Sequence, residues 1–349
     1  MIEVPTIPRP RVRPTIKIRS RPGGLYDGYG RRIDYLRISL IDHCNLRCVY
    51  CMPLKGLTFI PRPDLLTPEE IEQIARVAVD VGFHKIRLTG GEPTLRPDLI
   101  EIVERLARIS GLTTLAMTTN GILLPQLAKE LKRAGLTRVN IHIDTVNEEN
   151  LKRLMRWGDL QKAMAGIYAA EEAGLTPVKL NAVVLRGYNE EDVVELAALT
   201  IDNAWHMRFI EAMPLGIQAN EAIRRYVSNE ETRDRIEAVN GPLEPLNGGE
   251  LVGEARMFRI AGAQGQIGFI NPVSEPYCDD CNRLRMTADG KIRLCLLTDH
   301  ELDFGSALRT KGSQALYPLF KRAVDNKPVG HQLRSGIYPE RRGMSQIGG

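Results

Sequence analysis

Six cysteines stand in two groups of three: Cys44, Cys48 and Cys51 within eight residues, and Cys278 and Cys281 followed, after thirteen intervening residues, by Cys295. Thiolates are soft ligands that suit zinc and iron–sulfur clusters. In a long chain, two tight triplets read as metal ligands rather than as three disulfides. Iron–sulfur clusters commonly take four thiolates. A triplet holds three irons of a four-iron cluster and leaves the fourth free to chelate a small molecule. A second arrangement uses Cys48-x-x-Cys51 with Cys278-x-x-Cys281 as one Cys₄ zinc staple, serving an RNA-binding protein with a basic tail. It gives no role to Cys44 or Cys295, and aromatic residues for stacking bases make up only 5% of the chain.

The elements that position these residues alternate. Strand patterns fall at 35–41, 85–89, 113–118, 138–143, 178–185 and 206–210, and helical patterns at 68–82, 97–109, 124–134, 148–155, 160–173 and 190–199. The first helix has a start signal, Thr67 followed by Pro68, Glu69 and Glu70. Six strand–helix units in a row predict an α/β fold of parallel strands with right-handed crossovers, a partial (β/α)6 TIM-like barrel with a C-terminal cluster-binding extension. The expected division is a basic, Pro- and Arg-rich extension at 1–30, a barrel at 31–245, and a region at 246–349 that carries the second triplet.

Polar, cysteine-rich and glycine-rich segments gather at the carboxyl ends of these strands, where α/β barrels build their sites. The first triplet follows the first strand, and Gly90-Gly91-Glu92-Pro93 ends the second. Thr118-Thr119-Asn120-Gly121, His142-Ile143-Asp144-Thr145 and Glu211-Ala212-Met213 end the third, fourth and sixth. The formal net charge of +4, from 47 basic and 43 acidic residues, suits a polyanionic small substrate and falls short of a DNA-binding signature. Residues 1–30 lack the apolar run of a signal peptide, and no segment approaches the ~20 apolar residues of a membrane span. A cytoplasmic address, with neither nucleic acid nor membrane as partner, is the expectation.

The CxxxCxxC spacing, followed about forty residues later by Gly90-Gly91-Glu92-Pro93, resembles the radical S-adenosylmethionine superfamily. The second triplet, Asn282-Arg283-Leu284-Arg285, the turn at Asp289-Gly290 and the closing Gly348-Gly349 narrow this to a resemblance to the GTP 3′,8-cyclase family (molybdenum cofactor biosynthesis protein A). It extends from about Asp27 onward and includes Arg37-Ile38-Ser39, Arg87-Leu88-Thr89 and Arg208-Phe209-Ile210-Glu211. A radical enzyme acting on a peptide is the alternative, although its auxiliary modules carry more cysteines.

The resemblance implies two [4Fe-4S] clusters and S-adenosylmethionine as cofactors. The first cluster's open iron would bind the methionine moiety, and an electron would release a 5′-deoxyadenosyl radical. The second cluster's open iron would hold the guanine of GTP, whose ribose carbon attacks C8 to give (8S)-3′,8-cyclo-7,8-dihydroguanosine 5′-triphosphate. It further implies a low-potential ferredoxin or flavodoxin as electron donor, hands the product to cyclic pyranopterin monophosphate synthase, and admits a homodimer. Residue by residue, Tyr50, Gly91 and Met213 match its S-adenosylmethionine contacts. Arg37, Arg87, Thr118, Lys179, Arg283, Leu284 and Arg285 match its GTP contacts, with Lys85 and Arg208 as further phosphate partners. At His142 the family carries serine, and that contact is not carried over.

The residues support several of these roles independently. Arg37 inside a barrel needs an anionic partner. Arg283 and Arg285 alternate on an extended segment, so both guanidinium groups face one way and suit phosphate oxygens. Gly91 allows a close backbone approach, and the closing glycines can thread a narrow space, which predicts a tail that enters the barrel.

Overall fold

In the computed structural model, which describes residues 24–348, the six expected strands form β1 (Tyr35–Ser39), β2 (Lys85–Thr89), β3 (Thr114–Thr119), β4 (Arg138–His142), β5 (Lys179–Val184) and β6 (His206–Glu211). Each pairs in parallel with its predecessor, so spatial order follows chain order. Leu36, Ile38, Ile86, Leu88, Met117, Val139, Ile141 and Leu180 are buried almost completely, as expected for parallel strands covered by helices. Most of the expected amino-terminal extension (1–23) and Gly349 lie outside the described residues.

The crossover helices are α1 (Pro68–Asp80), α2 (Leu99–Ala107), α3 (Leu124–Arg133), the consecutive α4 (Glu148–Met155) and α5 (Leu160–Glu172), and α6 (Val193–Ala198). The Thr67 signal is a complete capping box: the Thr67 hydroxyl accepts from Glu70 N while Glu70 reaches back to Thr67 N. Such a cap contributes about 1 kcal/mol. Asn147 and Asp159 cap α4 and α5 without the reciprocal bond, their side-chain oxygens accepting from Glu149 N and Asn150 N and from Lys162 N. The last helix is shorter than the expected 190–199, because the Glu190 carboxylate turns back to accept from Gly187 N and Tyr188 N and closes the preceding loop.

After α7 (Ala219–Arg224) and α8 (Asn229–Asn240) the chain returns to the sheet and extends both flanks. On one side β7 (Ala255–Arg259) runs antiparallel to β8 (Gln266–Ile270), which lies parallel to β6. On the other side β9 (Arg283–Met286) lies parallel to β1, followed by antiparallel β10 (Lys291–Arg293) and β11 (Glu301–Asp303). The second cysteine triplet is therefore anchored to the first strand of the barrel. Helices α9 (Phe304–Lys311), α10 (Leu316–Asp325) and α11 (Met344–Ile347) complete the described chain, with Phe304 and Phe320 stacked edge to face in the core.

Candidate active site

The loop after β1 is held by its own hydrogen bonds and by α4. Cys51 N and Met52 N both donate to Cys48 O at 3.0 Å, which coils the last cysteines into a turn. Arg47 N and Val49 N donate to Met155 O and Leu154 O, and Leu46 and Val49 pack against Leu151 and Leu154. Buried Asp42 fixes the loop entrance by accepting from Ile60 N at 2.7 Å. Gly91 is needed there for a reason internal to the chain: a Cβ would lie 2.2 Å from His43 O, while Gly91 N donates to Ile41 O. Gly91 thus lies in close contact with the loop itself.

Burial pushes the Cys44 thiol up to about 11 and Cys51 up to about 12; neighbouring charges, Glu92 beside Cys44 and the Cys44 thiolate beside Cys51, add to it. Cys48 is raised well above the usual range by burial, by Asp144 and by both other thiolates. Three thiols that oppose one another's ionisation are stabilised as thiolates by a cationic centre bound among them. The donor set fits an iron–sulfur cluster. Tyr50 OH lies 2.7 Å from His142 Nε2 and donates to Asp144 Oδ2 at 2.9 Å, which ties the cysteine loop to the end of β4. His142 also meets Asp144 at 2.8 Å; burial opposes its charge, but Asp144 raises its pKa overall. Glu92 performs a similar task between β2 and β3, accepting from Thr94, from Thr119 Oγ1 at 2.6 Å and from Asn120 N at 2.7 Å.

Cys278, Cys281 and Cys295 line one cavity together with Met213, Tyr277, Arg283 and Arg285. The cysteines therefore sit as two triplets, and the four-cysteine zinc staple is set aside. Two basic residues build the cavity wall. Buried Lys327 Nζ donates to Arg283 O and Leu294 O, both at 2.8 Å. Arg31 Nη1 donates to Cys278 O at 2.6 Å and to Val329 O at 2.8 Å, with Asp27 as its counter-ion. Burial pushes the Cys281 thiol up, but Lys327 and Arg283 outweigh it and lower its pKa, while burial raises Cys278 to about 11. An electropositive wall around three thiols also suits a cluster.

Between the triplets runs a row of arginines. Arg285 on β9 stands in register with Arg37 on β1, and Arg37 with Arg87 on β2. Like charges paired across strands repel, and more so away from water. Arg87 donates through Nε to Tyr35 OH and through Nη1 to Thr118 Oγ1 at 3.3 Å. Although burial disfavours a phenolate, Arg87 and Arg37 pull the Tyr35 pKa below its ordinary value. On β5 and β6, burial and Arg208 bring Lys179 down to about 8, and burial brings Arg208 down to about 10 despite Glu254. Such a field favours a multiply charged anion.

The carboxy-terminal segment joins the two halves. The Ser345 backbone hydrogen-bonds the Cys51 thiol, Ile347 is fully buried, and Gly348 O accepts from Arg285 Nη1 at 2.9 Å. At Gly348, with φ +69°, a Cβ would lie 2.2 Å from Thr89 Oγ1, so only glycine fits between the ends of β1 and β2.

The structure thus brings Arg37, Arg87, Thr118, Arg283 and Arg285 to one side of the sheet and places Lys179 beside Arg208 in its electrostatic field. Leu284 points away, fully buried in the barrel core, so only its backbone is available to a ligand. Met213 packs with Cys295, Leu296 and Leu297 on the second-triplet side. The sequence did not single out Arg31, Lys327, Asn181, Tyr277 or Glu254. Each acts through partners distant in the chain or sits in a segment without periodic pattern.

Residues 38–200 match the family model described as Radical SAM superfamily, and residues 205–333 match Molybdenum Cofactor Synthesis C. A GTP 3′,8-cyclase of Pelotomaculum thermopropionicum is 47% identical over 93% of this chain and 100% of its own length. The enzymes of the same name from Moorella thermoacetica and Listeria monocytogenes are 46% and 41% identical, again over 93% of this chain, and over 100% and 99% of their own lengths. Among solved structures, Streptococcus suis SuiB bound to S-adenosylmethionine superposes with a TM-score of 0.57 at 15% identity, over 82% of this chain and 67% of that one, a likeness of fold.

Proposed function

The chain belongs to the GTP 3′,8-cyclase family of the radical S-adenosylmethionine superfamily, and from that premise we propose a role for each part of its site. The reaction is the conversion of GTP to (8S)-3′,8-cyclo-7,8-dihydroguanosine 5′-triphosphate, the first step of molybdenum cofactor biosynthesis. Cys44, Cys48 and Cys51 hold a [4Fe-4S] cluster that binds S-adenosylmethionine; Cys278, Cys281 and Cys295 hold a second. The first cluster and S-adenosylmethionine together supply a 5′-deoxyadenosyl radical.

The protein's own task is to bind, orient and exclude water. Arg37, Arg87, Lys179, Arg283 and Arg285 take the triphosphate, with Lys85, Arg208, Thr118 and the Leu284 backbone beside them. Tyr50, Gly91 and Met213 border S-adenosylmethionine. The observation that supports this reading is the register of Arg285, Arg37 and Arg87 on three adjacent strands, between two cysteine triplets. Arg285 and Arg87 are buried and Arg37 partly so, and cations set side by side favour a polyanion such as triphosphate. The barrel part (31–245) makes the radical, and the part from 246 onward carries the second cluster and binds GTP together with the barrel's Arg37, Arg87 and Lys179, with 1–30 as an extension. A low-potential ferredoxin or flavodoxin supplies the electron, and the product passes to cyclic pyranopterin monophosphate synthase. The chain acts alone or as a homodimer, in the cytoplasm. Among the described residues no helix is long and apolar enough to cross a membrane.

Anaerobic reconstitution followed by iron and sulfide analysis tests the assignment, with about eight irons expected per chain from two four-iron clusters. Cys48→Ala should abolish reductive cleavage of S-adenosylmethionine. Cys281→Ala should spare much of that cleavage and stop cyclisation of GTP. Normal cyclisation by the Cys281 variant would refute the division of labour.

A further inference from the structure

One carboxylate reaches into the arginine cluster. A short strand, Leu251–Val252, and β7 are joined by Gly253 and Glu254, with Val252 paired directly to Ala255. A two-residue hairpin turn needs a positive φ at its first central position, and Gly253 has φ +73°. Glu254 therefore stands at the tip of a tight turn. Its Oε2 accepts from Arg283 Nη2 at 2.9 Å, and its Oε1 lies 3.6 Å from Arg208 Nη1. Arg208 belongs to β6 and Arg283 to β9, on opposite flanks of the parallel strands, so one side chain bridges the two flanks.

Both arginines are built to meet it. The Arg208 stem passes over Gly268, where an added Cβ would lie 3.0 Å from Arg208 Cγ and 2.9 Å from Met257 Sδ. Asn181 Oδ1 accepts from Arg208 Nε and Nη2 and so turns Nη1 toward Glu254. Arg283 lies over the rings of Tyr35 and Tyr277. Burial opposes ionisation of Glu254, yet Arg283, Arg208, Arg87 and Arg37 outweigh it and hold the carboxyl well below the usual carboxylate range. Among the described residues Arg208 and Arg283 thus share the Glu254 carboxylate, two cations on one anion, and a phosphate group with more negative charge can compete for both.

We propose that Glu254 is an internal counter-anion, holding in the substrate-free enzyme the place of one phosphate of the triphosphate and bridging Arg208 to Arg283 until substrate displaces it. This rests on the reading that the arginine row binds the triphosphate of GTP. An incoming anion must better a preformed charge-assisted pair, so a ligand lacking phosphates gains nothing at this point. Glu254 then acts as a specificity residue for phosphate number, and as a neutraliser that keeps the empty site folded.

The test measures binding of GTP, inorganic tripolyphosphate and guanosine to the reconstituted full-length chain and its Glu254→Gln variant, with iron content and Tm recorded for each. The variant should bind GTP and tripolyphosphate about tenfold more tightly, the scale of one charge-assisted hydrogen bond. Its affinity for guanosine should not change. Its Tm should fall without ligand and recover further with GTP than the unmodified chain's. Preference for GTP over guanosine in the unmodified chain, with equal or weaker GTP binding by the variant, would overturn the counter-anion and leave the phosphate reading intact. Equal affinity for GTP and guanosine in the unmodified chain would instead overturn the phosphate reading, and this proposal with it. Amide exchange of residues 251–256 in the unmodified chain gives a readout if the variant fails to fold. Tripolyphosphate should speed exchange there as the carboxylate is released, and unchanged or slower exchange would refute displacement.

Discussion

Arg285 Nη1 donates to the Gly348 carbonyl at 2.9 Å, so an arginine assigned to phosphate also holds the carboxy-terminal tail in the barrel. The same tail touches the first cysteine loop through Ser345 and Cys51. One short segment thereby links the first cysteine triplet with the arginine row. Deleting Gly348 and Gly349 should collapse cyclisation while leaving iron content and GTP affinity nearly intact. Full turnover by the truncated enzyme, measured under anaerobic conditions with dithionite, would reduce the tail to a packing element.

Gly348 makes a sharper version of that test. An added Cβ would strike Thr89 Oγ1 at a position where φ is already positive. Gly348→Ala should therefore displace the tail, with a backbone cost of about 1–2 kcal/mol from the left-handed conformation alone. Turnover should fall with it, and Thr89→Ser, which removes only a methyl, should not restore the space. Wild-type turnover by Gly348→Ala would refute the close fit.

The barrel was legible in the sequence because β1 to β6 are short strand-patterned runs separated by segments with apolar residues at helical spacing, and local pattern decides both. The extended run of Arg283 and Arg285 was legible as well, but its place beside β1 was not, since the two strands come from opposite ends of the chain. The first cysteine triplet was legible because spacing within eight residues survives folding unchanged. Arg31 was not, because it meets Cys278 O across 247 residues. Lys327 and Glu254 have the same handicap: their roles lie in where the backbone returns to. The tight fit of Gly91 against the His43 carbonyl likewise depends on where the backbone returns.

Lys327 offers a test of the second triplet's wall. Lys327→Met keeps the stem and removes the ammonium from Arg283 O and Leu294 O. Each buried carbonyl left unpaired costs on the order of 1–3 kcal/mol. Both lie beside second-triplet residues, so the loss should fall on that cluster: iron per chain should drop toward about four, the content of a single cluster. Cleavage of S-adenosylmethionine should persist. Undiminished iron content would show that the wall holds without Lys327.

Arg283→Ala and Arg285→Ala should each weaken GTP binding by about 1.5–3 kcal/mol, the range for hydrogen bonds to charged groups. The two should differ in one respect. Arg285 also anchors Gly348, so its loss should cut turnover at saturating GTP, whereas loss of Arg283 should act mainly through affinity. Identical turnover by both variants at saturation would refute the anchoring role.

Lys179 gives the site a pH dependence whose sign follows from its surroundings. Burial, then Arg208 and Arg138, lower its pKa to about 8 in the free protein. A bound triphosphate favours the ammonium and raises that value, so binding takes up a proton wherever free Lys179 is neutral. Affinity is therefore highest below pH 8 and falls as pH rises through 8, until the raised pKa of the complex is passed. One proton limits the slope to about tenfold in Kd per pH unit. The nucleotide's phosphates, with a last ionisation near pH 6, are already fully charged in this range and do not obscure the effect. Titrating GTP into the reconstituted chain between pH 7.5 and 9.5 should show the weakening. Lys179→Met should bind GTP less tightly at pH 7.5 and show a flat profile above it. A variant that keeps the slope would assign the titration to another group and remove Lys179 from the phosphate contacts.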